Sequence, residues 1–420
     1  MPTPKLDVLI IGAGPSGCVA AAYLQKKGLS IRVVEKNKFP RFVIGESLLP
    51  RCMEHFEEVG LLAALQKQGF EKKFGARFIK GDAVCHFDFA ESFTDGWTWT
   101  WQVPRDHFDK TLTDYLEANG VPISFETTVT AVTFANDGSS RTTVCSTDGS
   151  EEIIEASFII DASGHGRVLP RLLSLETAPR IEAHSSIFTH VEDVNRPDGV
   201  EGTLITFDVI STETWLWVIP FSNGKCSIGY VGPTEYLASF KGTPTEKLQQ
   251  MMQLSDHYYA RFKGCDYLFE PITLKNVSKS VTKLFGKGFA LTGNSAEFLD
   301  PVFSSGVTFA TESGLRAAKL IAKQHAGERV DWQTEYADYI LNGVDVFGTY
   351  VKEWYTGNLQ KIFFQGTGNP EIKRQICSVL AGYVWDENNP FVRNHDRLVK
   401  TLARVIELEI SSKKIKPKTL

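Results

Sequence analysis

Gly12, Gly14 and Gly17 in DVLIIGAGPSGCVAAAYLQKKGLSIRVVEKN do chemistry by what they lack. Gly12 permits a tight turn out of the apolar strand Asp7 to Ile11. Gly14 lets a pyrophosphate approach the backbone, and Gly17 lets the following helix pack closely on the strand. Pro15 and Ser16 lie inside this turn. The helix, read over residues 20–27, offers free N–H groups and the positive end of its dipole to phosphates. A second strand over 31–34 ends at Glu35, 18 residues after Gly17, where an acid accepts ribose hydroxyls. Lys36 follows it. A lone glycine triplet is weak evidence. In a strand–helix–strand with a terminal acid it indicates a dinucleotide, without separating NAD from FAD.

WLWVIP, residues 215–220, is the second chemical stretch. Trp215, Trp217 and Ile219 alternate, so on a strand they share one face. That face ends at Pro220, which cannot donate to a sheet ladder. The plain alternative is a half-buried core strand, since Trp suits strands. WTWTW, residues 97–101, reads as another alternating aromatic strand, lining a pocket or filling a core.

Two later stretches narrow the nucleotide. EASFIIDASGHGR runs an apolar strand into Asp161, Ala162, Ser163 and Gly164. GKGFALTGNSAEFLDPVFSSGVTFATESGLRAA runs another into Gly293 and Asn294, then a turn at Asp300 and Pro301 and a long helix. With the opening motif and in this order, they resemble FAD oxidoreductases of the para-hydroxybenzoate hydroxylase fold. The resemblance implies FAD, with residues 161–164 beside the nucleotide. Arg105, in QVPRDHFDKTLTDYL, matches a family arginine near the flavin; its plain reading is a surface charge at a helix start. The family's Gly-Asp pair is Gly293-Asn294 here. Asn keeps an acceptor oxygen, adds two donors and removes a charge.

Three features resemble flavin-dependent halogenases, the tryptophan-halogenase-like group of that fold. FPRFVIGESLLP carries Arg41, Gly45, Glu46 and Ser47, matching a loop that straps the flavin. EKKFGARFIKG offers Lys73 as the match to an essential lysine, with Lys72 as runner-up because one residue of register flips the side chain, and Lys80 third. Most lysines are simply solvated. WLWVIP fits WxWxIP at every specified position. The resemblance implies that both indoles keep organic substrate away from the activated flavin while a small oxidant passes. It further implies a halide beside Ser304, Ser305 and Gly306 at a helix start, and Lys73 presenting hypohalous acid to the substrate. It spans roughly residues 5–325.

The elements that must position these residues form an α/β chain. Its FAD-binding Rossmann-like domain, of the para-hydroxybenzoate hydroxylase fold, is expected from 1–70, 104–175 and 280–325. An inserted, mostly antiparallel β-sheet substrate domain is expected from 71–103 and 176–279. Its strands are read at 74–90, 97–103, 183–191, 203–209, 214–220 and 224–231. A helical C-terminal region, 326–410, with a last helix over 391–410, and a flexible tail, 411–420, complete the chain. With 42% hydrophobic residues and net charge −5, it is globular and ill suited to nucleic acid. No apolar run reaches the roughly 18 residues of a membrane span. Seven scattered cysteines suggest reduced thiols in a cytoplasm, and nine dispersed histidines suggest no metal site.

The expected function is halogenation of an electron-rich aromatic, a phenol or pyrrole, free or carrier-bound, by reduced FAD, oxygen and halide. A separate flavin reductase would supply the reduced FAD. An FAD-dependent monooxygenase or reductase of the same fold is the second reading. A non-catalytic flavin electron carrier is the third.

Overall fold

The computed structural model describes residues 5–181, 184–275 and 279–415. The chain divides into two compact units, each assembled from three stretches of sequence. The first comprises Met1–Phe70, Val103–Arg180 and Ser278–Val344; the second comprises Glu71–Gln102, Ile181–Val277 and Asp345–Leu420. The division at Val344 falls inside the helix Tyr339–Tyr355, so both units hold C-terminal helical residues.

The first unit is built on a mainly parallel sheet. Along its main path the strands run in the order Phe285–Gly286, Phe289–Leu291, Glu151–Asp161, Leu6–Ile11, Ile31–Val34, Ile123–Ser124, while Ser140–Ser146 pairs antiparallel with Glu151–Asp161 and carries Thr127–Phe134 on its other side. Leu6–Ile11 pairs in parallel on both sides, and Val8 to Ile11 are buried, as a continuous apolar run requires. The helix begins at Pro15, earlier than the sequence suggests, and runs to Lys26. Proline suits that first position because its N–H would be unpaired anyway and its φ is already helical. A long helix, Ser305–His325, packs on it so closely that a Cβ at Gly314 would stand 2.5 Å from the Ser16 carbonyl oxygen.

Glu312 on that long helix anchors a buried charge cluster. Its carboxylate accepts from His55 Nε2 at 2.8 Å, Arg51 Nε at 3.0 Å and the Tyr339 hydroxyl at 2.8 Å. Burial opposes its charge, but His55, Arg51 and Tyr339 outweigh that and hold the carboxyl well below the usual range.

The second unit is a seven-stranded sheet. Its order is Ile272–Leu274, Ser185–Glu192, Lys225–Gly232, Trp215–Pro220, Thr206–Val209, Gly75–Lys80, Ala83–Asp88. It is antiparallel except for the parallel pair Thr206–Val209 with Gly75–Lys80. The segment 74–90, read as one strand, is a hairpin turning at Gly81, whose φ is +54°. Of 97–103 only Thr100–Gln102 is strand, and it pairs with Glu71–Lys73 in a separate ribbon. Trp97, Trp99 and Trp101 stack edge to face along it, with neighbouring centroids 5.3 and 5.4 Å apart. The last helix, His395–Ile415, extends past the position where a tail is expected to start; 416–420 lie outside the described residues.

Alternation splits this sheet into two faces. Leu216 and Val218 join Ile79, Ile187, Ile228 and Tyr230 in a core with Leu248, Met251 and Phe262. The opposite face carries a cross-strand row: Phe78, Phe207, Trp217, Gly229 and Phe188 occupy adjacent strands in register. The Trp217 indole lies over Gly229, where a Cβ would stand 2.4 Å from Trp217 Cζ2 and 2.5 Å from Phe188 Cβ.

Gly229→Ala should cost about 1–3 kcal/mol through overpacking and shift the intrinsic tryptophan fluorescence; urea titration followed by that fluorescence reads both. Glu312 supplies stability at every pH above its unfolded value of about 4.3, and loses it as pH falls toward the lower folded value. Glu312→Gln should lower stability near neutrality by about 3 kcal/mol. It should also flatten the acid limb of urea midpoints plotted against pH.

Candidate active site

The glycine turn is fixed by close backbone contact. Gly12 has φ +100°, and a Cβ there would stand 2.5 Å from the Ala162 carbonyl oxygen. A Cβ on Gly17 would stand 2.0 Å from the Gly12 carbonyl oxygen. Gly14 differs: within 4 Å of its Cβ position lies Arg41 Nη2, at 3.7 Å. The turn is therefore packed against backbone toward the sheet, and beside the helix start its near neighbour is a guanidinium cation, which suits a phosphate.

Glu35 closes the second strand. Its oxygens accept the N–H groups of Ala13 at 2.9 Å and Asn37 at 3.0 Å, one each. Each keeps a lone pair that a ribose hydroxyl can use. Lys36, next to it, is exposed. The Ser16 hydroxyl donates to Thr292 at 2.8 Å, so it ties two loops together.

Asp161 is fully buried. It accepts from the N–H groups of Ser163 and Leu169 at 2.9 and 2.7 Å and from the Ser295 hydroxyl at 3.0 Å. Burial raises its carboxyl, and these donors pull the other way. Asp161 thus shapes the loop carrying Ala162 and Gly164, whose φ is +57°. Gly293, with φ +54°, donates its N–H to Ser313 at 2.8 Å, and the Asn294 amide meets His165 at 3.1 Å.

Arg105 and Arg41 share one buried anion that the sequence reading missed. Asp109 accepts from Arg105 Nε at 2.8 Å and Nη2 at 3.0 Å, and from Arg41 Nη1 at 3.0 Å. Asp109 follows Arg105 by four residues on a helix, a spacing that signals such a pair. Arg105 Nη1 also donates to the carbonyls of Ile44 and Gly45 at 3.2 and 3.1 Å, which pins the GES loop. Gly45 has φ +113°, and a Cβ there would press on Arg105 Nη1 at 2.9 Å. Glu46 is buried, and its carbonyl accepts the Val103 N–H at 2.8 Å.

Ser47 and Ser304 meet through their hydroxyls at 3.2 Å. Asp300 caps the short turn at Pro301–Phe303 by accepting the Val302 N–H at 2.9 Å. Ser304 has φ +56°, a left-handed turn unusual for a non-glycine residue. It redirects the chain into the long helix, whose first turn holds buried Ser305 and exposed Gly306.

The second unit holds the other candidates. Lys73 is 2% exposed, opposite Thr100 in the ribbon, with Nζ 5.5 Å above the Phe89 ring. Lys72 points the other way, exposed, over Trp99 at 4.6 Å. Strand alternation thus makes Lys73 the buried lysine of the pair. Lys80 is exposed and donates to Gln360 at 2.9 Å. Trp215 and Trp217 are 1% and 5% exposed, with ring centroids 6.1 Å apart. Trp217 donates its indole N–H to Ser227 at 3.0 Å, and Trp215 donates to the Tyr355 hydroxyl at 3.2 Å. Tyr355, Ser227 and Gly229 were missed by the sequence reading. The one local signal was a glycine inside a strand, which marks a close approach.

The FAD-binding domain model of known protein families matches residues 5–253. The chain belongs to the FAD-binding domain family. FAD is its cofactor, and the glycine turn with Arg41 beside it, Glu35 and the helix start fit that group. Flavin-dependent halogenases are homologues. A 1H-pyrrole-2-carbonyl-[peptidyl-carrier protein] brominase of Pseudoalteromonas luteoviolacea is 28% identical over 90% of this chain and 92% of its own. A flavoprotein/dehydrogenase of Cytophaga hutchinsonii is 50% identical, covers 97% of this chain and 100% of its own, and superposes with TM-score 0.94. The flavin-dependent brominase Bmp2 superposes with TM-score 0.82 at 25% identity, over 98% and 99% of the two chains.

Asp109→Asn would leave two guanidinium groups around one neutral amide. It should cost about 3–5 kcal/mol of stability, and should free Arg41 and the GES loop so that FAD binds more weakly. Thermal melts and FAD fluorescence titration check the two effects.

Proposed function

We propose that this FAD-binding protein is a halogenase acting on an electron-rich aromatic, a phenol or pyrrole, either free or held on a carrier protein. The observation that carries the reading is the strand WLWVIP. It is buried throughout, and both indoles are locked by hydrogen bonds and by the notch at Gly229. The carrier-linked pyrrole brominase among the homologues supports the substrate class.

Bound FAD, once reduced, would supply together with oxygen the two-electron oxidising power that turning halide into hypohalous acid requires. Overall, arene, halide, a proton, oxygen and reduced flavin give haloarene, oxidised flavin and two waters. The chain's residues do the rest. Glu35 and the N-terminus of Pro15–Lys26 hold the adenosine and pyrophosphate. Arg105 and Arg41, fixed by Asp109, orient the GES loop. The first turn of Ser305–His325, with Ser304 and Gly306, takes the halide through N–H groups and the helix dipole. Trp215 and Trp217 form a rigid apolar wall that excludes water and bulky substrate from the oxidant. Lys73, held away from solvent, presents the electrophilic halogen to the ring. A separate flavin reductase delivers the reduced FAD, and the cytoplasm is the proposed compartment. Seven free cysteines support that compartment.

Supplying photochemically reduced FAD, oxygen and bromide to the protein with phenol and pyrrole traps should give brominated product by mass spectrometry. Oxygen incorporated into the trap instead would replace this reading with a monooxygenase. Halide-independent oxidation without product would point to a reductase or an electron carrier. Lys73→Ala should cut product at least about 100-fold, the scale of a lost catalytic group, while FAD oxidation proceeds at the wild-type rate. Continued halogenation by that variant removes Lys73 from the mechanism.

A further inference from the structure

Asn294 occupies the turn after the strand Phe289–Leu291, beside the glycine turn. Ser16, at the start of the first helix, bonds Thr292 two residues before it. Arg167 Nη1 donates to the Asn294 carbonyl at 2.8 Å, so the backbone here is fixed. In open parallel sheets ligands bind outside the carboxyl ends of the strands, and both residues 161–166 and 292–295 lie at such ends.

The side chain of Asn294 has a specific partner. Its Nδ2 lies 3.1 Å from His165 Nε2. An amide nitrogen only donates, so Nε2 supplies a lone pair and the imidazole proton sits on Nδ1. His165 is exposed, with its ring 5.2 Å from that of Phe298. The charged groups facing it are Arg105, from the helix Arg105–Ala118, and Arg167, on its own loop. Although part of the residue meets solvent, protein atoms crowd its ring, and this crowding, followed by the charges of Arg105 and Arg167, pushes its pKa down, which favours the neutral ring.

We propose that His165 is a positioning residue of the FAD site: it holds the Asn294 amide by its N–H end, leaving the amide oxygen as an uncharged acceptor for a hydroxyl of bound FAD. The proposal rests on the FAD assignment. It explains how asparagine serves at this position without a carboxylate. A free amide can present either end to a ligand; an amide tied at nitrogen presents oxygen. Protonated His165 would reverse the pair, since its Nε2–H must then take the amide oxygen. FAD affinity should therefore fall with pH as His165 gains its proton, below its usual value of about 6.5. Protonation also adds a positive charge, which would favour an anionic cofactor. High salt screens that opposing effect.

The test is FAD binding by full-length protein, followed by quenching of flavin fluorescence from about pH 5 to about pH 8 in about 0.5 M salt. Wild type should bind about fivefold more weakly at the acid end, the value of one net hydrogen bond. His165→Leu should be flat across the range, with the weaker affinity. His165→Gln can accept the same N–H without titrating, so it should bind tightly at every pH. Asn294→Asp should bind tightly at the acid end, because imidazolium and carboxylate pair. Far-UV circular dichroism confirms that each variant is folded. A flat wild-type profile, tighter binding at low pH, or a wild-type profile in His165→Leu overturns the proposal. Wild type that binds no FAD at any pH overturns the FAD assignment itself, and this role with it.

Discussion

The carbonyl oxygen of Ala162 occupies the space where a side chain on residue 12 would have to go. Much of the first unit is arranged around that contact. Because residue 12 can be only glycine, the loop after Glu151–Asp161 can lie directly on the turn after Leu6–Ile11. Gly17 and Gly314 repeat the device, bringing the turn and the long helix onto the first helix at distances no side chain allows. Asp161 holds the loop in place with three hydrogen bonds. The result is a helix start with packed backbone on one side and the Arg41 guanidinium as the near neighbour on the other, an arrangement suited to an anionic group.

Charge is handled by the same economy of space. Asp109 has no solvent to stabilise it, so it must be satisfied by Arg105 and Arg41 together. That need fixes two guanidinium groups, and through Arg105 the GES loop. Glu312 does the same for Arg51, His55 and Tyr339. In both clusters one buried carboxylate organises groups from several elements, because each partner it lacked would leave a charge unpaired in a low-dielectric interior.

The second unit achieves rigidity with aromatic packing. Register places Phe78, Phe207, Trp217 and Phe188 in one row, and Gly229 supplies the gap into which the indole fits. Trp354 and Phe363 cover Phe78 at 5.4 and 4.9 Å, and Tyr355 takes the Trp215 N–H. The C-terminal helices are therefore part of what holds the tryptophans. Their sequence carries no motif for that role, since any well-placed aromatic or hydroxyl group would serve.

The sequence by itself determined what depends on neighbouring residues. The strand, glycine turn, helix and terminal Glu35 were legible because their chemistry lies in a short local pattern, and WLWVIP was legible because alternation assigns its faces. Arg105 was singled out by its motif, and the partner the structure gives it, Asp109, lies one helical turn away. Tertiary structure alone decided the rest. Lys73 rather than Lys72 is buried because the ribbon pairs Lys73 with Thr100, a register no local pattern specifies. The single run read at 74–90 is two strands because Gly81 takes a left-handed turn. Arg41 meets Asp109 across 68 positions of sequence, and Asn294 meets His165 across 129. Such partners are chosen by the folded chain bringing distant loops to the same end of one sheet, and composition and spacing hold no record of that.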